Sequence, residues 1–296
     1  MPVPNQLASD IVGLISPLPL SRRGFMSSSA AATAGYTLAA GPVCAQALTT
    51  DTTGLAAGDA KVNVADGEMP LYFAKPANSN NPPVILVAME IFGLHQYIKD
   101  VSRRLGKLGA FAVAPDYYFR KGDLSKISEM SQLMPLVNAK ADAELIADLD
   151  ATVAWVKAQG GDTSRLGIIG FCRGGRTVWL YCANSPKVSA GVAFYGSLVD
   201  PPAQKAIWPK SPAELAPEMK APVLGLYGQA DQGIPVAQVE AMRAALAAAG
   251  KPAQFKIYPE APHGFHADYR ASYRKDAAED AWREMTAWFK THKVLS

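Results

Sequence analysis

The sequence predicts an α/β protein in which a mostly parallel central sheet carries helices on both faces. Unbroken apolar runs, such as residues 84–88 (VILVA), are typical of strands that are buried on both sides of a sheet. From this run to the end of the chain, such strands alternate with stretches in which apolar residues recur at helical spacing. Strands that alternate with helices form parallel sheets, because the chain must cross a face of the sheet before the next strand. No internal repeat and no linker divides this pattern.

The composition indicates a globular protein and excludes several other classes. The chain has 296 residues, of which 49% are hydrophobic and 19% are charged, and this apolar content is too high for an intrinsically disordered protein. The net charge of +3 at pH 7 is too weak to indicate a nucleic-acid partner. The three cysteines are too few for a disulfide framework.

Residues 1–47 have the layout of a cleaved export signal. Arg22 and Arg23 precede a stretch without charge over residues 27–43, and residues 45–47 (AQA) form a small-x-small cleavage pattern. The paired arginines resemble the bacterial twin-arginine signal, which a receptor reads and which is not an anchor. Glycines and a proline interrupt the apolar stretch, which argues against a transmembrane helix, and Cys44 lies in a poor context for lipidation. We therefore expect the twin-arginine machinery to export the precursor to the periplasm or the medium, without a membrane anchor.

The mature chain is then expected to hold one domain. We interpret residues 48–60 as a flexible lead-in and residues 61–296 as a single α/β domain, which is long enough for a full core. Its two cysteines, Cys172 and Cys182, lie ten positions apart in one turn-and-helix segment. About 15 Å of helical rise separates them, whereas a disulfide needs Cα atoms within about 7 Å, so we expect both thiols to stay unpaired.

Local patterns justify each strand in turn. Two short alternating runs on either side of Asp66-Gly67 predict a hairpin, and the later strands are unbroken apolar runs between turn signals. The predicted strands are residues 61–64, 69–74, 84–88, 111–114, 166–169, 188–194, 223–227 and 254–258.

The predicted helices rest on apolar residues at helical spacing and on stop signals. Residues 97–107 carry Ile98, Val101 and Leu105 on one stripe, and Gly160-Gly161 ends the long helix that starts near residue 139. The predicted helices are residues 97–107, 139–157, 176–182, 235–248 and 271–290, with a further helical stretch late in the irregular segment 116–136.

The sequence Gly-Phe-Cys-Arg-Gly-Gly at residues 170–175 is the strongest indication of chemistry. It follows a buried strand and precedes a helix, which is the context of a nucleophile elbow of the form Gly-x-nucleophile-x-Gly. The tight turn needs glycines at positions 170 and 174, and the head of the helix favours a thiolate at Cys172. The alternative is a glycine turn that holds a buried cysteine.

Two further residues follow Cys172 in the chain order that such enzymes require, with the acid before the histidine. Asp231 follows the strand at residues 223–227, and His263 follows the strand at residues 254–258. Both therefore lie at carboxyl ends of strands, where open α/β sheets place their sites. The alternatives are a capping or turn role for Asp231 and a loop histidine for His263. His266, three residues further on, fits a surface or gate residue better.

These residues belong to a set of motifs that resembles the dienelactone hydrolase family, an α/β-hydrolase branch with a cysteine nucleophile. The resemblance runs from about residue 61 to the C-terminus, and its motifs are residues 90–93 (EIFG), 114–118 (APDYY), 170–175 (GFCRGG), 228–235 (GQADQGIP) and 263–265 (HGF). The resemblance implies an α/β-hydrolase fold and a carboxylic ester hydrolase of the carboxymethylenebutenolidase type. It also implies a Cys172–His263–Asp231 triad that cleaves an ester or lactone through a thioester intermediate.

The resemblance assigns three further positions around the nucleophile. It implies that the backbone N–H groups of Ile91 and Arg173 form the oxyanion hole. Glu90 matches the glutamate that lies beside the resting thiol and helps convert it to thiolate. A carboxylate at an apolar strand end is costly unless it has a partner, and the alternative for Glu90 is a salt bridge to Arg173 or Arg176.

The part of the family pattern that holds a substrate carboxylate differs in this chain. The family's best-known members have an arginine four residues after the histidine, where this chain has Ala267. They also have an arginine–tyrosine pair in mid-chain, where this chain has Met130 and Met134. The residues that we expect to contact substrate instead are Tyr118, Arg120, Phe265 and Arg270.

Neither a metal nor an organic cofactor is expected. The sequence has no metal-ligand cluster, and the 170–175 loop lacks the Gly-x-Gly-x-x-Gly spacing of a dinucleotide site. The expected partner is a small ester or lactone. An exported ligand-binding protein without turnover, built on the same fold, is the alternative function, but it would not need the three triad residues.

Overall fold

An eight-stranded sheet forms the centre of the protein in the computed structural model, which describes residues 48–296. The predicted export signal at residues 1–47 lies outside the described residues. The strands are β1 (Leu55–Val64), β2 (Gly67–Pro76), β3 (Pro83–Ala88), β4 (Phe111–Pro115), β5 (Asp162–Phe171), β6 (Val188–Phe194), β7 (Val223–Gly228) and β8 (Ala253–Tyr258). Their order in the sheet is β1-β2-β4-β3-β5-β6-β7-β8.

The sheet is parallel from β4 to β8, and β1 and β2 join it in antiparallel pairing. This confirms the predicted α/β class and the mostly parallel sheet. The hairpin at the N-terminal edge turns at Ala65 and Asp66, one residue earlier than predicted, because Val64 pairs with Gly67. The lead-in prediction was wrong for residues 55–60, since strand β1 begins at Leu55 and pairs with the full length of β2.

Helices cover both faces of the sheet, which the register of β5 and β6 makes clear. A Cβ at Gly167 of β5 would lie 2.9 Å from the Phe289 side chain, whereas a Cβ at Gly191 of β6 would lie 2.7 Å from that of Val178. Gly167 pairs with Ala190, the neighbour of Gly191, so the two glycines face opposite sides of the sheet. The helices are α1 (Gln96–Lys107), α2 (Met130–Asn138), α3 (Asp142–Ala158), α4 (Arg173–Asn184), α5 (Val236–Ala248) and α6 (Lys275–Thr291).

The core follows the apolar runs of the sequence. Every residue of β3, β4 and β7 is buried, as expected for strands between two helical layers. The last helix begins at Lys275, four residues later than predicted, because residues 264–274 form a loop that packs beside the sheet. In residues 48–296, no helix is both long and apolar enough to cross a bilayer.

Candidate active site

Cys172 occupies a sharp turn between β5 and α4. Its φ of 54° and ψ of −116° lie outside the regions that residues other than glycine usually adopt. Its N–H donates to the Phe194 carbonyl at 3.0 Å, and its own carbonyl accepts from the Gly175 N–H at 2.9 Å. These bonds hold the strained residue at the head of α4, where the helix dipole favours a negative charge.

The glycines of the elbow are needed because backbone approaches backbone at this turn. A Cβ at Gly170 would lie 2.1 Å from the Gly174 carbonyl oxygen, and a Cβ at Gly174 would lie 2.1 Å from the Ala88 carbonyl oxygen. Neither contact is possible for a real side chain, so the sequence reasoning about these two positions is supported. The second contact also fixes the start of α4 against the end of β3.

His263 and Asp231 form a buried hydrogen-bonded pair at the ends of β8 and β7. The His263 Nδ1 atom lies 2.7 Å from Asp231 Oδ2, and both side chains are fully buried. The other carboxylate oxygen, Oδ1, accepts from the N–H groups of Gly233 at 2.8 Å and Ile234 at 3.1 Å. Asp231 therefore has the turn role that was its alternative reading and also orients the imidazole.

The electrostatics of His263 connect it to Cys172. Burial alone would lower the pKa of His263, but the negative charges of Asp231 and Cys172 and the hydrogen bond to Asp231 raise it well above its usual value. The other ring nitrogen, Nε2, is buried without a hydrogen-bond partner among residues 48–296, so it is the nitrogen that can take part in proton transfer. Cys172 and the His263–Asp231 pair therefore lie close together in the structure.

The two thiols of the described chain differ in their surroundings. Both are unpaired, as expected from their separation. Cys182 lies inside α4 against β6, and burial raises the pKa of its thiol far above the usual range. Cys172 is 5% exposed and lies beside an imidazole.

The two expected oxyanion donors lie at neighbouring strand ends. Ala88, the last residue of β3, pairs with Gly170 of β5, so Ile91 and Arg173 each follow their paired residues by three positions. Among residues 48–296, neither backbone N–H has a hydrogen-bond acceptor within the protein. Backbone donors in this situation are suited to bind an oxygen that becomes negatively charged.

Glu90 is the centre of a second buried polar group. Its Oε2 accepts from the Tyr269 hydroxyl at 2.6 Å and lies 3.2 Å from His95 Nε2, and its Oε1 lies 3.7 Å from an Arg270 guanidinium nitrogen. Burial would raise the pKa of Glu90, but Arg270, His95 and Tyr269 together lower it to about 2. Glu90 is therefore a carboxylate in the resting protein.

The salt-bridge alternative for Glu90 named the wrong arginines. Arg270 is the ion-pair partner of Glu90, whereas Arg176 is enclosed by Asp142 at 2.7 Å and Asp200 at 2.6 Å. Arg270 lies in the loop before α6, five residues before the helix begins at Lys275, whereas the sequence pattern placed it directly before the first helical residue.

The candidate substrate-binding residues divide into two groups. Tyr118 lies close to the site: burial raises its pKa to about 12, and the charges of Arg173 and Cys172 both act on it. Arg120 does not join the site, because its guanidinium is enclosed by Asp66, Asp148 and Glu144.

Phe265 and His266 are buried rather than placed at a site surface. Phe265 is fully buried against Phe194, Tyr195 and Tyr258, so its role is core packing. The surface or gate interpretation of His266 was wrong, because the residue is 3% exposed and its Nδ1 lies 2.6 Å from the Tyr97 hydroxyl.

Sequence reasoning missed Tyr195, Tyr269 and the role of His95. Tyr195 follows β6 with a φ of 37°, its ring centroid is 5.0 Å from that of His263, and its buried hydroxyl has no partner among residues 48–296. A tyrosine directly after a buried strand was the signal for Tyr195. His95 was one of only four histidines in the sequence, but Tyr269 carried no recognisable spacing.

No group of three or more metal-ligating side chains is present in the described part of the chain. Two pairs of polar side chains near Cys172 are hydrogen-bonded to each other, namely Asp231 with His263 and Glu90 with Tyr269. What these residues can do chemically is move a proton between sulfur, nitrogen and oxygen.

Comparisons with known proteins agree on one family. Residues 69–293 match the model of the Dienelactone hydrolase family. A protein of Methylorubrum extorquens, provisionally named carboxymethylenebutenolidase, is 50% identical over 289 residues that cover 97% of this chain and 98% of the relative. A Yersinia pestis protein with the same provisional name is 45% identical over 246 residues, which cover 82% of this chain and 91% of the relative.

A solved structure supports the same conclusion. A provisionally named dienelactone hydrolase from Klebsiella pneumoniae superposes with a TM-score of 0.77 at 45% identity, covering 80% of this chain and 98% of that one. Sequence and fold therefore agree over almost the whole described chain. The protein belongs to the dienelactone hydrolase family and is an α/β-hydrolase of the carboxymethylenebutenolidase-like type.

Proposed function

We propose that this hydrolase cleaves a carboxylic ester or lactone with Cys172 as the nucleophile, His263 as the general base and Asp231 as the residue that orients the base. The observation that carries the proposal is the buried His263–Asp231 hydrogen bond of 2.7 Å beside a cysteine with a strained φ of 54°. Nucleophile, base and orienting acid in this relation are the signature of covalent acyl transfer.

In the first half of the reaction, His263 takes the thiol proton and the Cys172 sulfur attacks the substrate carbonyl carbon. The carbonyl oxygen becomes an oxyanion, which the N–H groups of Ile91 and Arg173 bind. Each donor in a hole of this kind contributes about 3 kcal/mol to transition-state stabilisation. The carbon–oxygen bond of the ester then breaks, and the leaving oxygen receives the proton from His263, which leaves a thioester on Cys172.

In the second half, His263 removes a proton from water, and the hydroxide attacks the thioester carbonyl carbon. The carbon–sulfur bond breaks, the acid leaves, and the proton returns to the sulfur. Asp231 orients and stabilises the protonated imidazole, and two backbone N–H groups hold its other oxygen in place. No step requires a metal or an organic cofactor.

Glu90 belongs to this proposal as an accessory residue. Its low pKa keeps it charged at neutral pH, so it is available as a proton acceptor when the thiol ionises. Its three partners place that charge next to the Ile91 backbone, on the side of the elbow that faces β3.

The export of the precursor is also proposed. The Arg22-Arg23 pair and the uncharged stretch after it support transfer by the twin-arginine machinery to the periplasm or the medium. N-terminal sequencing of protein from the native host should then begin near Leu48, and replacing both arginines by lysine should retain the precursor in the cytoplasm. Recovery of fractionated mature protein that still carries Met1 would contradict export.

The catalytic proposal is tested by turnover of aryl esters, enol lactones and dienelactones with residues 48–296 and with Cys172→Ala. We expect turnover by the wild-type chain and none above background by the variant, while Cys172→Ser keeps a trace, because His263 must then activate a much less acidic group. Full activity of Cys172→Ala would exclude the cysteine mechanism. Absence of turnover by the wild-type chain on every substrate would instead favour a ligand-binding protein.

A further inference from the structure

Three arginines lie beside the candidate active site, and two of them are neutralised by carboxylates. Arg176 contacts Asp142 and Asp200, and Arg270 contacts Glu90. The third, Arg173, has no carboxylate oxygen of residues 48–296 within 4.0 Å of its guanidinium.

The guanidinium of Arg173 is held in place by an aromatic ring instead. It lies 3.5 Å from the centroid of Trp208, a buried side chain whose indole N–H donates to the Lys140 carbonyl at 2.7 Å. By comparison, the guanidinium of Arg176, one turn further along α4, lies 4.9 Å from the centroid of the same ring. The ring therefore covers one face of Arg173 and leaves the donor-bearing edges of the fork for another group.

The position of this cation relative to the nucleophile is set by the elbow. Arg173 directly follows Cys172, and its side chain is half-buried whereas that of Arg176 is fully buried. Tyr118 lies close to both residues, since the charges of Cys172 and Arg173 act on its phenol and its hydroxyl is within hydrogen-bonding reach of the Arg173 side chain. A half-buried guanidinium, an aromatic ring and a phenol hydroxyl thus lie together beside the elbow that carries the thiol.

We propose that the Arg173 side chain binds a carboxylate on the substrate, with Trp208 fixing the plane of the guanidinium and Tyr118 beside it. The inference rests on the proposed function and assigns the contact with a substrate carboxylate to a residue outside the family's pattern. A carboxylate matches the guanidinium fork in two parallel hydrogen bonds and supplies the counter-charge that the protein itself does not. Arg173 thereby replaces the family's arginine, whose position is Ala267 in this chain, because the elbow itself supplies the cation.

A packing role is the competing explanation, and it makes a different prediction. If Arg173 only covered Trp208, its replacement would lower the stability of the protein without distinguishing charged from neutral substrates. A carboxylate site instead changes the ratio of kcat/KM between a charged ester and its neutral counterpart.

The experiment compares two pairs of esters that differ in one carboxylate. Mono-4-nitrophenyl succinate and 4-nitrophenyl butyrate place the charge on the acyl part, whereas 4-acetoxybenzoate and its methyl ester place it on the leaving part. Each is assayed with wild type, Arg173→Met and Arg173→Lys, and the melting temperature of each variant is recorded. Arg165→Met is the matched control, because Arg165 is paired with Asp162 near the opposite end of β5, about 23 Å of strand from Cys172.

We expect Arg173→Met to lower the ratio of charged to neutral kcat/KM about 10- to 100-fold for at least one pair, the loss typical of a charge-assisted hydrogen-bonded contact. Arg173→Lys should keep part of the ratio, since it retains the charge but not the fork, and Arg165→Met should keep all of it. An unchanged ratio for both pairs in Arg173→Met would overturn the inference while Cys172-dependent turnover would still stand. Turnover by the Cys172→Ala variant at the wild-type rate would instead overturn the proposed function.

Discussion

Replacement of Glu90 by glutamine should remove a pH-dependent part of the stability of the protein. Glu90 is 1% exposed and contacts Tyr269, His95 and Arg270, so the variant removes a buried negative charge that faces a guanidinium. Breaking a buried pair on one side is far more costly than losing an exposed one. The expected loss can be worked out from the pKa of Glu90.

The pKa of Glu90 falls from 4.5 to about 2 on folding, against the effect of burial and because of Arg270, His95 and Tyr269. A difference of 2.5 pKa units corresponds to about 3 kcal/mol of unfolding free energy at neutral pH. Because the folded pKa is the lower one, this stability is fully present above pH 4.5 and is lost as the pH falls towards 2. Between pH 7 and pH 3 the wild type should lose about 2 kcal/mol through this residue alone.

The assay is urea unfolding of wild type and Glu90→Gln at several pH values from 7 to 3. The gap between the two proteins should be about 3 kcal/mol at pH 7 and should narrow by about 2 kcal/mol at pH 3. Glu279→Gln is the control: its side chain is 55% exposed and 3.9 Å from Lys275, and it should cost less than about 1 kcal/mol at any pH. A constant gap across this range would refute the reasoning, because Glu90 would then not titrate as a paired carboxylate.

Three further predictions concern the elbow and its neighbour. Iodoacetamide should alkylate Cys172 faster than Cys182, because burial holds the Cys182 thiol protonated. Mass spectrometry of partly labelled protein, with an esterase assay of the same samples, should show that modification of Cys172 and loss of activity occur together. Gly174→Ala should lower the free energy of unfolding by at least about 3 kcal/mol or prevent folding, since its Cβ would lie 2.1 Å from a backbone oxygen. Gly58→Ala, whose Cβ would have nothing within 4 Å, should change the melting temperature little. Equal effects of the two substitutions would contradict the steric account. Tyr195→Phe should raise the unfolding free energy by about 1 kcal/mol in urea titrations, because it removes a buried hydroxyl without a partner in residues 48–296, and a loss of stability would show that the hydroxyl is bonded.

The meeting of Cys172, Asp231 and His263 at one edge of the sheet follows from a rule of sheet topology that can be applied to the sequence. Parallel strands end at a common edge, so residues that follow β5, β7 and β8 meet there even though 32 positions separate His263 from Asp231. The elbow was predictable for a related reason, since glycines two positions either side of a residue between strand and helix indicate close backbone contact. These inferences used chain order and local sterics only.

The partners of Glu90 and Arg120 could not be obtained in this way. Tyr269 is 179 positions from Glu90, in a loop without periodic pattern, and its approach depends on how that loop packs. Arg120 was a candidate for substrate binding because the sequence pattern does not show that Asp66 and Asp148, 54 and 28 positions away, contact it in the folded protein. The partners of a charged side chain depend on distances in the folded protein, and the sequence pattern does not give these distances.

The N-terminal edge of the sheet illustrates a weaker local signal. Residues 55–60 read Leu-Ala-Ala-Gly-Asp-Ala, a composition with little intrinsic preference for strands, and they were interpreted as lead-in. They nevertheless form half of β1, because the hairpin with β2 extends the pairing through all ten of its residues. Tertiary pairing overrides local preference here.

The placement of Cys172, Asp231 and His263 after three separate strands has a consequence for how the protein folds. The three residues become neighbours only after β5 to β8 have docked in parallel, and each docking closes a long loop of chain before any contact offsets the lost entropy. The proposed active site is thus a product of the latest and least local contacts of folding. Turnover that returns after dilution from denaturant therefore reports only fully folded molecules. Its return should lag behind that of the helical circular dichroism signal.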